Sequence, residues 1–351
     1  MRIAQIAPLI ERVPPRLYGG TERVVSYLTE ELVRRGHQVT LFASGDSVTQ
    51  ARLVAGAPRA LRLNPMVRDA IPHIMLLLEE VRKREADFDV LHFHTDVLHF
   101  PLFRHIAQRT LTTLHGRLDL YDLKSFYREF DDMPVVSISD RQRTPLPYAN
   151  WVATVHHGLP LGVTRYYPSP QDTYLAFLGR ISPEKRPDRA IAIAKRAGMR
   201  LRIAAKIDRA DEAYFEREIA PLLDHPLIDW VGEIGEHQKP DFLGNAEALL
   251  FPVDWPEPFG LAMVEAMACG TPTIAYRCGS VPEVIEHGTN GYIVDDEDGA
   301  IEAVNKLDRI DRARVRACFE RRFTVERMTD DYLRVYSMLR EAHDGRVRRA
   351  A

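Results

Sequence analysis

Apolar residues along the chain come in two rhythms. Short, nearly continuous apolar runs alternate with longer stretches in which apolar side chains recur at helical spacing. The first rhythm is how a strand buried on both faces reads, and the second is how an amphipathic helix reads. Runs of the first kind occupy residues 1–7, 38–43, 88–94, 110–115, 135–139 and 151–155, and again 173–179, 200–205, 228–232, 248–251 and 273–276. Between them, Val24, Val25, Leu28, Leu32 and Val33 mark a helix ending near Gly36, and Ile74, Leu77, Leu78 and Val81 mark another. Residues 190–197 form a third helix, and Leu261, Val264 and Ala268 a fourth, which Gly270 caps and Pro272 prevents from continuing. A last helix carries the apolar stripe Val325, Met328, Tyr332, Val335 and Leu339. Alternating strands and helices predict an α/β architecture with parallel sheets. The series restarts after a connector containing Pro168 and Pro170, so two domains are predicted, 1–160 and 161–324, followed by a helix over 325–345.

Composition narrows this picture without redirecting it. A chain of 351 residues is long for one domain and comfortable for two. A hydrophobic content of 45% and a charged content of 28% describe a globular protein, and a net charge of −3 gives no support for binding nucleic acid through bulk charge. Cys269, Cys278 and Cys318 are odd in number and lack metal-ligand spacing, which points to reduced thiols and a cytoplasmic setting. The amino-terminal apolar run is too short for a signal peptide, and no segment approaches the ~20 apolar residues that cross a bilayer.

Candidate chemistry gathers where predicted strands end. After the run 248–251 comes a loop whose prolines, Pro256 and Pro258, keep it out of a helix, so Glu257 belongs to the carboxyl end of a strand. Glu265 falls about one turn into the next helix, and the N–H groups of Gly260 and Leu261 at that helix's start would face an anion. Either glutamate alone reads best as a solvated residue; the pair between Gly260 and Gly270 reads as a ligand site. Following the strand that ends at Gly179, Arg180 and Lys185 should lie on a loop, a planar fork and a movable point charge suited to a diphosphate. In the first series, Gly19 and Gly20 precede a helix N-capped by Thr21, allowing a phosphate to approach the backbone. Residues 51–68, with Arg52, Arg59, Arg62 and Arg68, read as a solvated loop. His92 and His94 share a strand face but lack a third ligand, which leaves His94 as a polar residue at the strand end, facing a cleft, while His115 ends the next strand where ligands of open α/β sheets bind. Asp87 and Asp89 precede their strand and read as a solvated turn, so no metal is called for.

Glu257 and Glu265, with seven residues between them, together with the strings Phe259-Gly260-Leu261 and Glu265-Ala266-Met267-Ala268-Cys269-Gly270-Thr271-Pro272, resemble the E-x7-E signature of glycosyltransferase family 4. The string Gly179-Arg180-Ile181-Ser182-Pro183-Glu184-Lys185 is similar to that family's G-R-x-x-x-E-K phosphate loop. The resemblance implies the GT-B fold, two Rossmann-like domains facing each other across a cleft, with the closing helix packed back on the first. It implies a retaining, metal-independent transfer of a hexose-type sugar from a nucleoside diphosphate donor to an acceptor hydroxyl, and no other cofactor. Arg180 and Lys185 would stabilise the departing diphosphate, Glu257 with Pro258, Phe259, Gly260 and Leu261 would hold the sugar, and Glu265 the ribose. Glu233 and Ile234 would meet the base, Gly19 and Gly20 the donor's phosphate, and His115 the donor sugar from the other domain, so the catalytic set is His115, Arg180, Lys185 and Glu257. Expected partners are the nucleotide sugar and a small-molecule, glycan or lipid-linked acceptor, with peripheral contact at an inner membrane face as a further expectation and no nucleic acid. A nucleotide-sugar epimerase or hydrolase on the same fold, and a non-catalytic nucleotide-sugar-binding protein, are the alternatives.

Overall fold

The computed structural model describes residues 1–62 and 64–350, with side chains as far as residue 343. It divides into two compact units, Met1–Gly158 together with the helix Val325–Ala350, and Leu159–Thr324.

In the first unit seven strands form one sheet: β1 (Arg2–Ile6), β2 (Gln38–Ser44), β3 (Arg52–Ala57), β4 (Val90–Phe93), β5 (Thr110–Thr113), β6 (Val135–Ser137) and β7 (Trp151–Thr154). They are ordered β3-β2-β1-β4-β5-β6-β7, and every pairing is parallel. Alternation along the strands sends side chains to opposite faces. Phe42 joins Ala4, Ile6, Leu91 and Phe93 against Leu77, Leu78 and Val81 of the helix Ile71–Arg82, while Leu41 and Ala43 pack with Val25 of the helix Gly20–Arg34. Leu77 and Leu78 are both fully buried, each worth roughly 1.5–3 kcal/mol. The arginine-rich stretch expected as a loop contains β3 instead. Leu53 pairs in register with Leu41, and Leu53 and Val54 are only half-buried at the sheet edge, which is why their apolar signal is weak in sequence.

In the second unit β8 (Tyr174–Ile181), β9 (Arg200–Ile207), β10 (Ile228–Gly232), β11 (Ala248–Phe251), β12 (Thr273–Tyr276) and β13 (Gly291–Val294) run in the order β10-β9-β8-β11-β12-β13, again all parallel. The buried Arg312 guanidinium ties together the segments that precede β8, β11 and β12. It donates to the carbonyls of Tyr167 at 2.9 Å, Ala246 at 2.9 Å and Gly244 at 2.7 Å and to Thr271 Oγ1 at 2.7 Å, so its charge is fully solvated by the protein.

Each sheet reverses its strand order once, between β1 and β4 in the first unit and between β8 and β11 in the second. Loops leaving neighbouring strands at such a point diverge to opposite faces and leave a crevice at the carboxyl ends, where ligands bind in open α/β sheets.

Candidate functional site

At the reversal point of the second unit, β8 and β11 deliver most of the residues singled out in the sequence. Arg180 lies within β8, not on a loop beyond it as expected. The strand continues because Arg180 pairs with Lys206 and Ile181 with Ile207 on β9, and Ile181 is fully buried. The Arg180 guanidinium donates to Glu184 and lies 3.3 Å from Asp211 and 3.7 Å from Asp208. Lys185 occupies the turn that follows, and its ammonium forms an ion pair with Glu257, the residue delivered by the loop after β11. Glu257 is 7% exposed. The indole of Trp255 donates to the same carboxylate oxygen at 2.8 Å, and the Lys185 ammonium stands 5.0 Å from the centre of that ring.

The backbone holds this arrangement from two sides. The N–H of Asp254 donates to the carbonyl of Glu184 at 2.9 Å, latching the loop after β11 to the turn after β8. From the other side, Ser280 donates its N–H to the Glu257 carbonyl at 2.9 Å and its hydroxyl to the Phe259 carbonyl at 2.8 Å, and the Cys278 thiol donates to the Trp255 carbonyl at 2.8 Å. Pro258 and Phe259 are buried, with Phe259 edge-on to Phe323 at 6.1 Å. Gly260 takes a left-handed conformation at φ 81° and starts the helix Leu261–Ala268, whose first N–H groups have no carbonyl of the preceding turn to bond. Leu261 opens that helix and Glu265 lies on it, 6% exposed. Glu265 Oε1 accepts from Lys239 Nζ at 2.6 Å, and Glu236 Oε2 is 3.1 Å from the same ammonium. Glu233 and Ile234 follow β10; Glu233 is exposed, while Ile234 packs against the buried cluster that includes Phe242, Leu249 and, on the Glu265 helix, Ala266. The second unit thus joins two ion-paired clusters by one short helix: Lys185, Glu257 and Trp255 at its amino end, and Lys239, Glu265 and Glu236 along its side.

In the first unit, Gly19 is the N-cap of the helix Gly20–Arg34, and Thr21 is not the cap expected for it. Gly19 reaches φ 147°, and its carbonyl accepts the Arg23 N–H at 3.1 Å, so the helix starts one residue before Thr21 and is capped two residues before it. Glu22, 5% exposed, accepts the Glu11 N–H at 3.3 Å beneath this loop, and burial pushes its carboxyl up to about 7. His94, expected as a strand-end residue facing a cleft, is buried. Its Nε2 lies 2.9 Å from Gln5 Oε1 and its Nδ1 2.9 Å from His115 Nε2. His115 follows β5, its ring stacked on His157 at 5.3 Å, and burial holds it down to about 3. The closing helix covers His92 of β4, which bonds Tyr336 at 2.7 Å and Thr113 at 2.8 Å, and Thr113 bonds Tyr332 at 2.9 Å. Among the described residues no group of three or more His, Cys, Asp or Glu side chains is arranged to hold a metal ion, and no helix is long and apolar enough to cross a membrane.

Two family descriptions match the chain, one to each unit: Glycosyltransferase Family 4 over residues 18–144 and Glycosyl transferases group 1 over residues 167–316. The chain belongs to the family 4 glycosyltransferases. It is similar to the D-inositol 3-phosphate glycosyltransferase of Mycolicibacterium smegmatis, 26% identical over 93% of this chain and 88% of that one. A D-inositol 3-phosphate glycosyltransferase of Mycobacterium sp. strain KMS is 32% identical, but over 37% of this chain and 30% of its own length. Among solved structures, sucrose-phosphate synthase from Thermosynechococcus elongatus superposes with a TM-score of 0.78 at 18% identity, covering 97% of this chain and all (100%) of that one. Anabaena HepE, solved in complex with UDP and glucose, gives 0.74 at 17% identity over 96% of this chain and 100% of its own. The fold of this glycosyltransferase is therefore GT-B.

Several residues around the glycosyltransferase's site gave no signal to sequence reasoning. Lys239 and Trp255 are separated from, or hidden beside, the glutamates they serve, and Cys278-Gly279-Ser280 read only as a turn. Gln5, a lone amide inside a buried strand, was visible as an anomaly of polarity; Tyr332 read only as part of an apolar stripe, and Tyr336 gave no signal of its own.

Proposed function

We propose that this glycosyltransferase moves a hexose-type sugar, with retention, from a nucleoside diphosphate donor held by the carboxyl-terminal unit to a hydroxyl of an acceptor held by the amino-terminal unit. The observation that carries the reading is the Lys185–Glu257 pair at the β8/β11 reversal. A carboxylate that accepts from an ammonium and an indole is built to accept from sugar hydroxyls, and a lysine held by that carboxylate and the rings of Trp255 and Phe251 can turn to a diphosphate when hydroxyls take its place. Arg180 and Lys185 then meet the charge that grows on the leaving group as the bond from the anomeric carbon to the phosphate oxygen breaks. The electron pair of that bond stays with the phosphate. The acceptor oxygen bonds the anomeric carbon on the same face, and its proton passes to the departing phosphate oxygen. Glu265, steadied by Lys239, accepts from the ribose hydroxyls, and the loop at Glu233 and Ile234 meets the base. His115 contributes from the amino-terminal unit. In this reading the two basic side chains supply the counter-charge and the reaction takes no metal. That UDP occupies Anabaena HepE makes a uridine donor the first to test.

The test is turnover on a panel of nucleotide sugars with sugar and polyol acceptors, with NMR assignment of the product's anomeric centre. Lys185→Ala should lower turnover on the order of 10²-fold while leaving the fold intact by circular dichroism. A chelator should leave turnover unchanged. Near-unchanged turnover in the variant overturns the role of Lys185, and an inverted anomeric centre overturns retention.

A further inference from the structure

Beneath His115 runs an unbroken line of hydrogen bonds contained within the amino-terminal unit. Tyr336 Oη lies 3.0 Å from Gln5 Nε2, Gln5 Oε1 lies 2.9 Å from His94 Nε2, and His94 Nδ1 lies 2.9 Å from His115 Nε2. Every group in it is neutral, and Gln5, His94 and Tyr336 are fully or almost fully buried. A neutral imidazole donates from one nitrogen and accepts at the other, so each link sets the sense of the next. With Gln5 Nε2 donating to Tyr336, Gln5 Oε1 must accept from His94 Nε2–H. His94 Nδ1 is then an acceptor and must receive His115 Nε2–H. The far end decides the direction of the whole line. His115 Nδ1 is buried and has no hydrogen-bond partner among the described residues. The reversed line would put a proton on that nitrogen and strand a donor, whereas a bare lone pair there costs less and stays available to a ligand.

We infer that Gln5, His94 and Tyr336 are positioning residues that hold His115 as the Nε2–H tautomer, so that its Nδ1 accepts a hydrogen bond from a substrate hydroxyl. The inference rests on the reading of His115 as a substrate contact and adds the atom, its sense and the residues that enforce it. The closing helix, through one phenol, thereby fixes the hydrogen-bonding sense of a side chain at the end of β5.

Long-range ¹H–¹⁵N correlation spectra of the full chain labelled with ¹⁵N-histidine test this, with His115 assigned by comparison with His115→Ala. The expected result is an unprotonated Nδ1 and a protonated Nε2. Tyr336→Phe removes one hydroxyl at constant shape, frees the Gln5 amide to turn over, and should give a mixture of His115 tautomers in a chain that melts lower, because His92 loses a partner too, but keeps its fold by circular dichroism. Gln5→Met, which removes the acceptor for His94, should do the same. Both should lower kcat/KM about tenfold, the worth of one neutral hydrogen bond. A protonated Nδ1 in the native chain, or a tautomer unmoved in both variants, overturns the relay. The inferred tautomer together with full turnover in His115→Ala instead overturns the reading of His115 as a substrate contact, and with it the purpose assigned to the relay.

Discussion

Glu265 is a carboxylate in a helix whose residues from Met263 to Ala268 are otherwise apolar and buried. Left alone there, its charge would cost several kcal/mol, and Lys239 Nζ at 2.6 Å offsets that cost. Removing the lysine therefore does more than delete a positive charge; it leaves the glutamate to protonate or to swing toward water, away from where a ribose would sit. Lys239→Met is expected to raise the donor KM about tenfold with a smaller change in kcat, read by steady-state kinetics. An unchanged donor KM would detach this cluster from the nucleotide. Spacing made Glu265 legible, because seven intervening residues carry a loop glutamate one turn into a helix. Lys239 was illegible because it reaches Glu265 from another helix, Lys239–Gly244, across the unit's packing. Trp255 lies in the loop beside Glu257, but nothing in the sequence tells an indole that donates to a carboxylate from one that fills a core.

The loop from Asp254 to Gly260 has no regular structure of its own, and its shape comes from the neighbours that grip it. Gly279 is the closest of them. A Cβ at that position would lie 2.3 Å from the Glu257 nitrogen and 2.4 Å from its carbonyl oxygen, and the residue sits at φ 52°. Gly279→Ala must therefore push the Glu257 backbone away, and a displacement on the order of 1 Å at a reacting centre costs about 10²-fold in rate. Gly288→Ala is the matched control: it also has positive φ, at 78°, but a Cβ there meets nothing within 4 Å, so it should lose stability without losing turnover. Equal turnover in the two variants would show that the loop keeps its shape without the Gly279 contact. The element scale also explains two departures from the sequence reading. Register with β9 carried β8 through Arg180 to Ile181, and register with β2 made an edge strand of the arginine-rich stretch. Both are long-range pairings that local periodicity does not record.

Across the amino-terminal unit, burial of histidines sets a pH limit. His92, His94 and His99 are each at most 2% exposed, and burial holds all three well below the usual imidazole range. Above about pH 6.5 they are neutral folded or unfolded and stability is fully present. As pH falls below that value the unfolded chain takes up protons that the folded unit refuses, so stability is lost at about 1.4 kcal/mol per histidine for each pH unit, and His115 and His157 of the same unit, also held low by burial, add to the loss from these three. Thermal melts followed by circular dichroism should show the midpoint of this unit falling steeply between about pH 6.5 and pH 5, and His99→Gln should make that slope shallower by one histidine's share. A flat midpoint over that range would mean that the folded unit accepts the protons. Sequence by itself determined the alternation of buried strands and amphipathic helices, hence two parallel α/β sheets, and it marked the stretches carrying Arg180, Lys185, Glu257 and Glu265, because periodicity and motif spacing are local along the chain. Tertiary structure decided the partners: Lys185 against Glu257, Lys239 under Glu265, Gly279 against the loop backbone, and Tyr336 reaching Gln5 from the far end of the chain. Those contacts join residues tens to hundreds of positions apart, and only the order of strands in the sheets and the helices laid across them bring such residues within a hydrogen bond.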